Sequence, residues 1–146
     1  MTIEQQNEDE QYLSIRFAVT PEQFERQGRS LSLLLLHRRC ATCWGTLIQE
    51  TAGDLEIPAD EHMEQIVNHC SQTPDFIYSG LPIMEAAFRI LVSNGTNSLS
   101  LEDIYNALQE KWSDASSHWT PLPAKLYRML AKDTFYGISE VTNTSA

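Results

Sequence analysis

The chain has no long apolar run. Its longest, Leu33 to Leu36, is four residues, against the ~20 that a helix needs to cross a bilayer. Basic residues are scarce: 10 Lys and Arg stand against 20 Asp and Glu, a net charge of −10. The imbalance is uneven, with 13 acidic and 5 basic residues up to Gly80 (net −8) and 7 acidic and 5 basic after it (net −2). Non-specific binding to nucleic acid or to anionic membranes needs the opposite charge. Cysteine is rare and odd in number, three residues, which does not suit a disulfide framework. The enzyme signatures G-x-S-x-G, H-E-x-x-H and G-x-x-x-x-G-K are absent. The opening "MTIEQQNEDEQ" is acidic and polar, unlike a secretory signal. Together these features lead us to expect a cytoplasmic protein that is not an enzyme, has protein partners and keeps its thiols reduced or metal-bound.

What is present suits one chain of 146 residues with 42% apolar composition, enough to bury a core. Residues 1–11 read as a disordered acidic tail. "LSIRFAV" alternates apolar and polar residues with the period of a half-buried strand. From Thr20, an N-cap followed by Pro21, a helix runs toward Arg39 or beyond, with Gly28 as its weak point. A second helix, "ADEHMEQIVNHC", puts Met63, Ile66, Val67 and Cys70 on one face. His62, Glu61 and Glu64 read there as solvated surface. The expected division is a helical hairpin module over 12–80 and a second module over 81–146. The fold class is mainly α with small β elements.

In the second module, "PIMEAAFRILVSNG" is a helix ending at Gly95, and Ser100 caps another, "LEDIYNALQEKW". "PAKLYRMLAKD" is a further helix and "TFYGISEV" a strand. Helix, short strand, helix, helix, strand in this order resembles the winged-helix superfamily. That resemblance implies that "PAKLYRMLAKD" stands where a recognition helix would, and that the chain is either an interaction module or a DNA-binding regulator of transcription.

The stretch "LLLLHRRCATCWG" carries Cys40 and Cys43, and the only other thiol is Cys70, beside His69. Following an apolar helical run, Cys40 is expected inside a helix or at its C-terminal end. The helix dipole there opposes a thiolate, and no βαβ pattern surrounds the pair, so redox chemistry is disfavoured. If two antiparallel helices are counted outward from the loop between them, Cys40 falls opposite Cys70, and Cys43 shares its face at i+3. All three thiols then converge, with His69, or alternatively His37, as a fourth donor. Three cysteines and a histidine form a closed zinc set. Adjacent ligands at 69 and 70 require the helix to fray there. Arg38 and Arg39 would offset the charge of three thiolates. The competing reading is that Cys40, Cys43 and Cys70 are buried reduced thiols.

Two other groups stand out. Lys125, Arg128 and Lys132 recur at i, i+3, i+7, a basic stripe that suits phosphate contacts or merely a solvated helix face. The aromatic stretches "DFIYSGLP" and "SSHWTPLP" put Phe76 and Trp119 in loops. They either seal the joint between the modules or mark a partner surface.

Overall fold

The computed structural model describes residues 3–26, 28–51, 57–78, 80–95, 97–111 and 121–141. They form eight helices, α1 (Ile3–Tyr12), α2 (Pro21–Arg26), α3 (Leu31–Leu36), α4 (Ala41–Thr51), α5 (Ala59–Asn68), α6 (Ile83–Val92), α7 (Leu101–Lys111) and α8 (Pro123–Ala131). Three short strands accompany them: β1 (Arg16–Val19), β2 (Leu99–Ser100) and β3 (Ile138–Val141). The fold class is therefore mainly α with a small antiparallel sheet, as the periodicities lead one to expect. Among the described residues no helix is long and apolar enough to cross a membrane.

The sheet does not respect the expected division at residue 80. Its order is β2-β1-β3, so a strand from the first half lies between two from the second. Phe17 pairs with Leu99 on one side and Glu140 on the other. Because β1 is central, Phe17, Ala18 and Val19 are buried. One apolar core runs through Phe24, Leu35, Ile66, Phe88, Ile104 and Leu126, drawn from both halves. The first turn of α7 is satisfied across the same boundary. Leu101 and Glu102 donate their backbone N–H groups to the carbonyls of Ile15 and Leu13, and Ser100 caps Asp103 as its position suggests.

The acidic N-terminus is a correction. Rather than a tail, it forms α1, packed on α8. Asp9 is buried and its carboxylate accepts the Ala124 N–H at 3.0 Å, capping α8 from 115 residues away. Tyr12 stacks on Tyr127 with ring centroids 4.4 Å apart.

The single helix expected from Thr20 is broken twice. At Gly28 (φ 65°) the chain turns left-handed; the Gly28 N–H bonds the Glu25 carbonyl and the Arg29 N–H bonds that of Phe24. This is the paired-bond helix ending that glycine permits. Ser30 then caps α3 by accepting from Leu33 at 3.1 Å. The second break spans 37–40. Thr20 does not use its hydroxyl as a cap; the group reaches Ser139 on β3.

Gly137 also has positive φ (71°), and a Cβ there would lie 2.1 Å from the ring of buried Phe24. Left-handed strain and overpacking together give an expected loss of about 2–4 kcal/mol for Gly137→Ala in chemical denaturation. A loss below about 1 kcal/mol would contradict the close approach of these two segments.

Candidate metal centre

Cys40, Cys43, His69 and Cys70 come together. One donor atom from each lies within 4.8 Å of all the others. His69 Nδ1 is 3.4 Å from Cys40 Sγ and 3.2 Å from Cys43 Sγ, and Cys70 Sγ is 3.4 Å from Cys43 Sγ. A tetrahedral ion with metal–sulfur bonds of ~2.3 Å and metal–nitrogen bonds of ~2.05 Å needs S···S edges of about 3.8 Å and S···N edges of about 3.5 Å. These three edges are shorter by a few tenths of an ångström or less, and the others are no longer than 4.8 Å. The four side chains are thus compatible with one small metal ion, and all three cysteines are unpaired thiols.

Local structure builds this arrangement in two pieces. Cys40 is not at a helix C-terminus, which corrects the sequence expectation. The chain leaves α3 at His37, turns through Arg38 and Arg39, and restarts as α4 directly after Cys40, whose carbonyl accepts the Trp44 N–H. Cys40 and Cys43 therefore sit at the positive end of α4, where the dipole favours thiolates. Burial opposes ionisation of Cys40. Bonds from the backbone of Cys43 and Thr42, with help from the neighbouring thiols, nonetheless carry its thiol below the ordinary range.

The other two donors come from the end of α5. The helix frays at His69 (φ −136°, ψ −63°), as adjacent ligands require, and Cys70 opens a 3-10 turn, Cys70–Gln72. Cys70 is fully buried and takes the Cys40 backbone N–H at 3.3 Å. Burial first, then the facing thiols, pushes its own thiol up to about 12. A divalent cation reverses that penalty, because coordination deprotonates a thiol outright. His37 lies outside the donor set, exposed and tilted against Trp44.

Arg38 does something other than balance the thiolates. It grips Glu85 of α6 with both ends of its fork, at 2.7 and 3.0 Å. Arg89 and the Tyr136 hydroxyl bind the same carboxylate at 2.9 and 3.0 Å. Glu85 thus ties the break before Cys40 to α6 and to the approach to β3. Nothing local in "PIMEAAF" distinguishes this buried acid from a solvated one.

His62, expected at the surface, is fully buried; its Nδ1 meets Arg39 Nη1 at 3.2 Å. Glu61 and Glu64 are exposed, as expected. Lys125 and Arg128 on α8 and Lys132 at its C-cap are all exposed, and Arg128 pairs with Glu8 of α1 at 3.1 Å. Phe76 is buried, with Arg89 over its ring, so it seals a joint and is not a free surface. Trp119 lies outside the described residues. No protein-family model, curated protein or solved structure matches this chain.

Proposed function

We propose that Cys40, Cys43, His69 and Cys70 hold one zinc ion with a structural role, in a non-catalytic adaptor or small subunit that works through protein partners inside the cell. The observation that carries the metal assignment is the convergence of three sulfurs and one imidazole nitrogen, all within 4.8 Å of one another. Three thiolates favour zinc over magnesium, calcium or manganese, which take oxygen ligands. Four protein donors leave no open position for water or substrate, as in zinc sites that serve folding. The ion would pin the start of α4 to the end of α5.

Cobalt(II) substitution tests the ligand set. The expected spectrum has the intense visible bands of tetrahedral cobalt and a thiolate-to-metal charge-transfer band. A weak octahedral spectrum would reject the assignment.

A second reading, a winged-helix regulator of transcription, draws on the element order α6, β2, α7, α8, β3 and on the outward basic stripe of α8. Two features weigh against it: Arg128 is already engaged by Glu8, and α1 lies against α8. Three phosphate contacts are also a small attraction for a chain of net charge −10. We therefore expect no measurable binding to duplex DNA at moderate salt. A gel shift showing tight, sequence-selective binding that is lost in Lys125→Ala with Arg128→Ala would establish the regulator instead.

A further inference from the structure

Beside the metal centre lies a cleft of about 530 Å³, within the size range of small-molecule sites. Cys43 and His69 form part of its wall, and Arg39, Ile57, Glu61 and Glu64 form much of the rest. Among the described residues Arg39 has no carboxylate partner, whereas its neighbour Arg38 is gripped by Glu85. Among the described residues its side chain hydrogen-bonds to His62, and its Nε is buried without a partner. A guanidinium cannot accept a hydrogen bond, so His62 Nδ1 must, which puts the ring proton on Nε2. Burial, followed by the charge of Arg39, holds His62 toward its neutral form. A neutral imidazole anchors the guanidinium from the protein side without cancelling its charge.

The cleft therefore carries one anchored, unneutralised cation and two exposed carboxylates one helical turn apart on α5. An anion alone would meet Glu61 and Glu64, and a cation alone would meet Arg39. We infer that this cleft binds a small zwitterion of the α-amino-acid class, its carboxylate on Arg39, its ammonium on Glu61 and Glu64, and its side chain toward Ile57. Arg suits the first task because its planar fork matches a carboxylate in two parallel bonds. The site goes beyond the structural role of the metal, though it rests on that reading because Cys43 and His69 belong to the wall.

The test is a thermal-shift screen of the metal-loaded protein with the common L-amino acids at millimolar concentration, followed by calorimetry on the responders. L-leucine is run beside 4-methylpentanoate and 3-methylbutylamine, which each keep one of its two charges. At least one amino acid is expected to bind saturably, and for leucine-like ligands each half-molecule to bind about tenfold more weakly or worse. Arg39→Gln should abolish the preference for the zwitterion over the amine, and Glu61→Gln with Glu64→Gln its preference over the carboxylate. The second variant changes only exposed side chains and serves if the first disturbs folding. Zinc content measured on the same samples separates loss of the cleft from loss of the metal. If no amino acid binds to zinc-loaded protein, or if binding is unchanged in both variants, Arg39 is only a counter-charge to the thiolates and the inference is overturned.

Discussion

Cys40→Ser should destabilise the protein by about 5 kcal/mol or more, because metal binding and folding are one equilibrium when the unfolded chain has no preformed site. At this chain length such a loss lowers the melting temperature by roughly 10–20 °C. Cys40 is the informative position because it is only half-buried. If the thiols were plain core residues, a serine in place of a partly exposed sulfur would change stability by no more than about 0.5 kcal/mol. Cys70→Ser is less decisive: Cys70 is fully buried, and a hydroxyl there is costly with or without a metal. A chelator should reproduce the Cys40→Ser effect in the parent protein and add little in the variant. The loss should extend beyond α4 and α5, since α5 packs on α3 and α6 and shares their core.

The second large effect is at Glu85. Burial alone would raise its carboxyl, but hydrogen bonds from Arg38 and Arg89 hold it at about 2, against an ordinary 4.5. At 1.36 kcal/mol per unit, that difference contributes roughly 3 kcal/mol. Because the folded-state value is the lower one, the contribution is complete above about pH 4.5 and is lost as pH falls toward 2. Glu85→Gln should cost about 3–5 kcal/mol at neutral pH, since two partly buried guanidinium groups lose their counter-charge. The gap between parent and variant should then narrow in acid, where metal loss affects both alike. Denaturation at pH 7 and pH 3 checks this. A cost below about 1 kcal/mol at pH 7, or a gap that does not change with pH, would mean that the carboxylate is not held as described.

The two predictions also show where the sequence was legible. The four donors could be found because they obey local rules: i, i+3 spacing in Cys40 and Cys43, a fraying helix end at His69, and a count outward from one loop. Ser100, Gly95 and the alternation around Phe17 were readable for the same reason, each being a local pattern with a local cause. The break before Cys40 was not. The run "LLLLHRRCATC" has no proline or glycine to stop a helix, and a tertiary contact, Arg38 on Glu85, holds the turn. Sequence alone therefore puts Cys40 at the wrong end of the helix dipole. Residues 1–11 looked like a tail because few of them are apolar. The order of α1 comes from Asp9 capping α8 and Tyr12 stacking on Tyr127, partners more than a hundred residues distant. His62 looked solvated among acids, and its partner, Arg39, lies 23 residues earlier.

The most direct measurement is the zinc content of protein purified without a metal-affinity column, together with the number of thiols that react before and after chelation. We expect one zinc per chain, three thiols protected until the chelator is added, and no zinc in Cys40→Ser. Protein that carries no zinc, takes up none when it is supplied, and releases all three thiols on mild unfolding would return Cys40, Cys43 and Cys70 to the apolar core.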